Sequence, residues 1–339
     1  MKLTPTEIFA QAKERGASDV HVAVGNPVLL RIDGDLTPLS GEQVTAQAAE
    51  KFVHEVLGDE RWLRYVKERE VDISYPMEGG GRLRVNCHFE RGAPGLVARL
   101  IPVDIPTLEE LGLQGIAEPL CALHEGLVLF TGPTGSGKST SLAAMIQHIN
   151  ATRAVSVVTL EDPIEFIFPQ GKSLIRQREL GADFTSFGEA LRRVLRQDPN
   201  VVMVGEMRDL ETVAAALTLA ETGHLILATL HTPNAVQAMD RIVDIFSPHQ
   251  QGQIRTQLSL SLKTVIAQRL VPGAKGGRVA VREVLVNTPA VSNIIRDHRL
   301  QELPSVLQTG TEAGMRTFEK DAERLVKEGK ITKEVAEGM

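Results

Sequence analysis

One stretch, Gly132-Pro133-Thr134-Gly135-Ser136-Gly137-Lys138-Ser139-Thr140, constrains this chain more than any other. The apolar run Leu127-Val128-Leu129-Phe130 precedes it, and Leu142, Met145, Ile146 and Ile149 follow at helical spacing. Strand, glycine loop and helix in that order are the context in which G-x-x-x-x-G-K-[ST] forms a phosphate cradle. Glycine lets the backbone turn tightly, so that successive N–H groups point at phosphate oxygens. The start of the helix adds the positive end of its dipole. Lys138 is the expected point charge for the β and γ phosphates, and Ser139 the expected hydroxyl for Mg²⁺. A chance glycine-rich turn would rarely have strand and helix in register, so the chain is expected to bind a nucleoside triphosphate.

The remaining length must house that site. At 339 residues, two domains, or one with an appendage, are expected. Residues 1–100 read as a small α/β domain, with a helix over 6–15 and strands over 19–24 and 28–32. The second of these strands closes on the hairpin signal Asp33-Gly34. Helices are expected over 46–57 and 59–68, then strands over 71–75, 82–87 and 95–100, with Gly79-Gly80-Gly81 joining the first two. Pro102 and Pro106 cannot sit inside a helix or a central strand, which puts a linker at 101–115. From residue 116 to 339 strands and helices alternate, as in a parallel sheet. Strands are expected over 127–131, 155–160, 201–204 and 225–230, with helices over 187–196 and 210–221 between them. Beyond Thr232 the pattern reads as mostly helical, over 235–245, 250–269, 290–297 and 314–328.

In an open parallel sheet, ligands gather at the carboxyl ends of the strands. After Leu160 come Glu161, Asp162 and Glu165; after Val204 come Gly205, Glu206, Met207, Arg208 and Asp209; after Leu230 come His231 and Thr232. A single polar strand end is ordinary, whereas four with phosphate or Mg²⁺ chemistry, counting the glycine loop, are a site. Gly205 stands where a metal-binding aspartate is usual, so Glu161, Asp162 and Glu165 are expected to hold Mg²⁺ through its waters. Glu206 is the candidate for polarising the attacking water, with a salt bridge to Arg208 as the weaker alternative. A regular strand from His224 to His231 spans roughly 23 Å at ~3.3 Å per residue, so the two cannot share a metal. His231 is placed to sense the γ-phosphate, and His224 at the other end reads as structural or cofactor-facing. Arg192, Arg193 and Arg196 follow a helical stripe and read as a solvated or subunit-facing surface. Arg84 and Arg99, on strands of the first domain, are either strand-surface pairs or fingers for a neighbouring subunit's nucleotide.

Bulk properties narrow the partners. A net charge of −6 disfavours an electrostatic nucleic-acid binder, so no nucleic acid is expected. Cys87 and Cys121 form no C-x-x-C pair and read as buried free thiols. No stretch approaches the ~20 apolar residues of a membrane span, and no apolar signal core opens the chain. The expectation is a cytoplasmic protein that reaches a membrane only by docking.

These motifs together resemble the secretion ATPase superfamily of type II secretion and type IV pili, and within it the pilus retraction ATPases of the PilT group. Residues 132–140 look like its Walker A box, and Thr159-Leu160-Glu161-Asp162-Pro163-Ile164-Glu165-Phe166 like its aspartate box. Leu195-Arg196-Gln197-Asp198-Pro199 through Val204-Gly205-Glu206-Met207-Arg208-Asp209 looks like its atypical Walker B segment. Thr222-Gly223-His224 through Ala228-Thr229-Leu230-His231-Thr232 looks like its histidine box. The resemblance implies a PAS-like N-terminal domain before a RecA-like P-loop ATPase domain, and a homohexamer with nucleotide between the domains. Glu206 matches the family's catalytic glutamate, and Arg84 and Arg99 its arginine positions, with Arg82 a weaker match. It further implies ATP and Mg²⁺ as cofactors, an inner-membrane pilus platform protein as partner, and in some cases a sister retraction ATPase.

Retraction is favoured over assembly because the two isolated cysteines cannot build the four-cysteine zinc insertion of assembly and type II secretion ATPases. Ala290-Val291-Ser292-Asn293-Ile294-Ile295-Arg296-Asp297 also resembles the retraction motif A-I-R-N-L-I-R-E. It departs at Ser292, where arginine is expected, and at Asp297, in place of glutamate. The implied activity is ATP hydrolysis driving pilus disassembly and twitching motility. The alternatives are an assembly or secretion motor without the zinc insertion, a PilU-type accessory ring partner, and, remotely, a nucleic-acid motor.

Overall fold

The computed structural model describes residues 4–78, 81–101 and 104–339. Two compact units emerge, one of Met1–Asp104 with Pro163–Ile167, the other of Ile105–Asp162 with Phe168–Met339. In the first, strands β1 (Asp19–Val22), β2 (Pro27–Ile32), β3 (Asp35–Gln43), β4 (Glu70–Pro76), β5 (Arg82–Glu90) and β6 (Ala93–Ile101) form one antiparallel sheet. Their order is β3-β2-β1-β6-β5-β4. The Asp33-Gly34 turn leads into β3, a strand absent from the sequence reading because its polar, exposed residues give no apolar alternation.

The helices of this unit begin and break where local chemistry requires. Pro5–Glu14 is opened by a capping box, with Thr4 N–H donating to Glu7 (2.7 Å) and Glu7 N–H to Thr4 Oγ1 (3.3 Å). The two helices expected over 46–57 and 59–68 are present within Ala46–Glu68, separated at Gly58, whose φ of 70° and ψ of 169° are not helical. Ile8, Phe9, Phe52 and Val53 from these helices pack with Val20, Leu30, Leu83 and Ala98 from the strands. The expected glycine turn falls largely on Gly79 and Gly80, and the expected linker includes Pro102 and Val103; these four lie outside the described residues. Leu108 and Leu113, also within the expected linker, are buried in the second unit's core.

The second unit is a seven-stranded sheet. Its strands are β7 (Gly126–Thr131), β8 (Ser156–Glu161), β9 (Leu174–Glu179), β10 (Val201–Val204), β11 (Leu225–Leu230), β12 (Leu262–Pro272) and β13 (Arg278–Val286), in the order β13-β12-β7-β11-β10-β8-β9. All neighbours run parallel except β12 and β13. Every residue of β7 and β11 is buried, as expected for strands covered on both faces. Alternation still assigns the faces: Leu127 and Leu129 join one core cluster, Val128 and Phe130 the other.

The expected helix over 250–269 requires correction. The helix Pro248–Ser261 stops where Leu262 turns extended (ψ 134°), and β12 begins there. An apolar run buried on both faces has no distinctive period, and the β-branched Thr264, Val265 and Ile266 fit a strand. β9 and β13 were likewise not anticipated.

The outer hairpin is covered by the helix Phe318–Lys327, whose Phe318, Ala322 and Leu325 pack on Ala267 and Val281. Asp321 of that helix is fully buried. It accepts hydrogen bonds from the Arg282 backbone N–H (2.8 Å), Arg316 Nη1 (2.6 Å) and Arg324 Nη2 (2.8 Å). Removing one member of a buried ion network leaves uncompensated charge and costs about 3–5 kcal/mol. Asp321→Ala should therefore lower the unfolding free energy in urea titration by about that amount, and a loss below ~1 kcal/mol would class the network with ordinary surface pairs.

Candidate nucleotide-hydrolysis site

The phosphate loop links the end of β7 to the helix Lys138–Thr152. Gly132, Gly135 and Gly137 have φ of 146°, 78° and 85°, the left-handed region that favours glycine. Two of them also meet a steric limit: a Cβ on Gly132 would lie 2.3 Å from the Gln268 carbonyl oxygen, and one on Gly137 2.8 Å from Gln268 Nε2. Strand β12 thus lies hard against the loop. Lys138 is buried, its Nζ donating to the carbonyls of Gly132 (2.7 Å) and Pro133 (3.0 Å). The hydroxyl of Ser136 is buried without a hydrogen-bond partner. Such an atom is costly unless something else satisfies it, and phosphate oxygens would do so.

The other strand ends gather at the same edge of the sheet. Glu161, buried at the end of β8, accepts from Thr159 Oγ1 (2.6 Å) and Gln177 Nε2 (3.1 Å). Beside it Gly205 N–H donates to the Leu160 carbonyl (2.8 Å), and a Cβ on residue 205 would come 3.1 Å from that same oxygen. A side chain at the position where an aspartate is usual would therefore crowd the close approach of β8 and the chain leaving β10. Thr229 Oγ1 donates to the Gly205 carbonyl, and Thr131 Oγ1 shares a hydrogen bond with Thr232 Oγ1 (2.6 Å), drawing the ends of β7 and β11 into one layer.

Glu206 forms an ion pair with Arg208 Nε and lies 3.0 Å from His231 Nε2. The salt bridge ranked lower in the sequence reading is thus present. Burial by itself would raise the Glu206 pKa; the hydrogen bond from Arg208 and the charge of His231 outweigh it and hold the carboxyl below its ordinary value. A carboxylate whose folded pKa lies below its unfolded one contributes stability above the unfolded pKa and loses it as pH falls through the folded pKa. Glu206 is therefore ionised at neutral pH, so both carboxylate oxygens can accept a hydrogen bond from water. The charge of exposed Asp162 also reaches Arg208.

Not every predicted residue joins this cluster. His224 sits at the amino end of β11, where its Nδ1 lies 3.1 Å from the Leu219 carbonyl and closes the helix Leu210–Glu221. Glu165 belongs to Pro163–Ile167, which groups with the first unit. Arg192 and Arg193 pair with Glu211 (3.4 Å) and Glu189 (3.5 Å) on a solvated face. Both cysteines are buried free thiols, and burial pushes each up to about 12.

Arg84 and Arg99 are also in the first unit, at directly opposed positions of β5 and β6. Arg31, Asp19, Arg99, Arg84 and Ser74 occupy one level across five strands. Buried Asp19 accepts from Arg99 Nε (2.8 Å) and lies 3.8 Å from Arg31. Asp19 and Arg31 were not singled out from the sequence, although a carboxylate in the strand Asp19-Val20-His21 was a readable signal. Opposed like charges repel across a sheet, and the Asp19 carboxylate beside Arg99 offsets that repulsion.

The donor set fits a nucleotide-bound Mg²⁺. Such an ion keeps waters and phosphate oxygens and takes one or two protein oxygens. Ser139 at the helix start and Glu161 at the end of β8 supply that type of donor. Among the described residues no cluster of three or more His, Cys, Asp or Glu could hold a metal without phosphate.

A parallel sheet with a glycine phosphate loop and a carboxylate at a nearby strand end defines a P-loop nucleoside triphosphatase of the α/β, RecA-like class. Residues 103–337 match the family described as "Type II/IV secretion system protein", and the chain belongs to that family. "Type IV pilus retractation ATPase PilT" of Pseudomonas aeruginosa is 43% identical over 336 residues, covering 98% of this chain and 96% of its own. "Type IV pilus ATPase PilU" of the same organism is 41% identical over 324 residues, covering 95% and 85%. A crystal structure of the pilus retraction motor PilT with bound ADP superposes with a TM-score of 0.91 at 43% identity, covering 99% of this chain and 96% of that one.

Restoring the usual strand-end aspartate tests the account of Gly205. Gly205→Asp should cost about 1–3 kcal/mol in urea unfolding, the range for an overpacked site, without raising nucleotide hydrolysis. A variant as stable as the parent and faster would mean that the glycine is not needed for strand closure.

Proposed function

We propose that this protein is an Mg²⁺-dependent ATP-hydrolysing motor that powers retraction of type IV pili. The observation that carries this reading is Glu206, ionised and partly buried at the end of β10, at the same sheet edge as the phosphate loop with only β11 between. Lys138, Ser136 and the N–H groups from Gly132 to Thr140 hold the triphosphate. Ser139 would hold Mg²⁺ directly, and Glu161 and Asp162 would hold it through water; when bound, the ion would supply charge neutralisation for the phosphates. Glu206 orients the attacking water once Arg208 releases it, and His231 reports on the γ-phosphate. This acid–base contribution is worth about 10²–10⁴ in rate.

The first unit is read as the PAS-like domain. Its Arg84 and Arg99 are read as cations offered to a neighbouring subunit's nucleotide within a homohexamer. The protein would work in the cytoplasm, docked on an inner-membrane platform protein; no helix among the described residues is long and apolar enough to cross a membrane.

Retraction is supported by the helix Pro289–Arg296, which keeps the apolar face of the retraction motif, with Val291, Ile294 and Ile295 buried. Ser292, where arginine is expected, instead donates its hydroxyl to the Ser259 carbonyl (2.6 Å). Likeness to PilU at 41% identity favours one second reading, an accessory motor beside a sister ATPase.

Deletion of the gene in its host should leave abundant pili that do not retract. A wild-type copy should restore twitching, and a Glu206→Gln copy, slowed about 10²–10⁴ in ATP turnover, should not. Bald cells would point to assembly, and rescue by Glu206→Gln to the accessory role.

A further inference from the structure

Gln268 lies on β12, far in sequence from the phosphate loop, yet its side chain bonds to that loop. Its side chain is buried, and its Nε2 donates to the Ser136 carbonyl (2.6 Å). Its Oε1 accepts from Ser141 Oγ (3.0 Å) and from Arg282 Nε (3.0 Å). Arg282 is the cross-strand partner of Gln268 on β13 and is itself buried. Its backbone N–H is held by Asp321.

Arg282 settles which way the carboxamide faces. A guanidinium has only donors, so the amide oxygen must face it, and the amide nitrogen must face the loop. The Ser136 carbonyl is an acceptor only, so that arrangement satisfies every atom. Carbonyl and N–H of a planar trans peptide point in opposite directions. With the Ser136 carbonyl fixed on Gln268, the Gly137 N–H points away from Gln268. A flip of that peptide would aim a carbonyl where the phosphate loop needs a donor. Gly137, left-handed at φ 85°, is the loop residue with the backbone freedom to flip.

We propose that Gln268 is a positioning residue for nucleotide: it locks the Ser136–Gly137 peptide with its N–H presented to the phosphates, and Arg282 fixes the orientation of its amide. This deepens the phosphate-loop reading above and rests on it. Gln268 touches no reacting atom. Because the Gly137 N–H would meet phosphate equally before and during reaction, its loss acts on binding and not on turnover, raising KM with kcat little changed.

Two variants separate the donor from the fold. Gln268→Glu keeps the acceptor oxygen for Arg282 and Ser141 but sets a second acceptor against the Ser136 carbonyl. Gln268→Met keeps the length and removes the polar atoms. A net hydrogen bond corresponds to about a three- to tenfold change in an equilibrium constant. With the purified full-length protein, KM for ATP and Kd for ADP should rise about three- to tenfold for Gln268→Met, and further for Gln268→Glu, with kcat within about twofold of the parent. A merely structural role would reduce the active fraction, lowering kcat at unchanged KM, and that outcome overturns the proposal, as does parental KM in both variants. Lys138→Ala is assayed alongside: parental ADP affinity in that variant would overturn the phosphate-loop reading itself, whereas lost affinity there with parental Gln268 variants would overturn the Gln268 assignment alone.

Discussion

The close approach of β12 to the phosphate loop is the constraint on which most of the second unit depends. A parallel strand can lie there only if residue 132 carries no side chain, because the backbone of Gln268 already occupies the space where a Cβ would go, and the Gln268 amide fills the same space beside residue 137. The glycines of the loop therefore serve two demands at once. They turn the chain so that N–H groups can surround a phosphate, and they admit the strand that supports the loop from behind. β12 in turn carries β13, and β13 carries the helix that buries Asp321, so the C-terminal layer is built outward from this contact.

A comparable logic places the carboxylates. The parallel pairing of β8 with β10, continued by the Gly205 N–H on the Leu160 carbonyl, sets Glu161 and Glu206 on neighbouring strand ends. One is buried and bonded to Thr159 and Gln177; the other is partly buried and held by Arg208 and His231. Two carboxylates of the same kind thus have different environments. The first is enclosed within the sheet, while the second faces partners that are themselves exposed.

The site was legible in the sequence where its parts are local. The loop spacing from Gly132 to Ser139, and the acidic or histidine residues directly after apolar runs, can be read without knowing the fold. Long-range partners leave no such trace. Gln268 looked like one polar residue in an apolar run assigned to a helix, and only the pairing of β12 with β7 brings it to Ser136. β3 gives no signal because it is polar and β12 none because it is buried on both faces, whereas the reading of His224 as structural or cofactor-facing already placed it at the far end of its strand, where it meets the Leu219 carbonyl. The serine at position 292 was visible as a departure, but its bond to Ser259 depends on how two helices pack.

The posture of Lys138 has a consequence for how the loop meets its ligand. Its ammonium is not waiting in solvent; two carbonyls of the loop itself already hold it. An anion placed in this loop would compete with the Gly132 and Pro133 carbonyls for that ammonium, so the loop's own backbone sets the strength of charge needed to draw the lysine away.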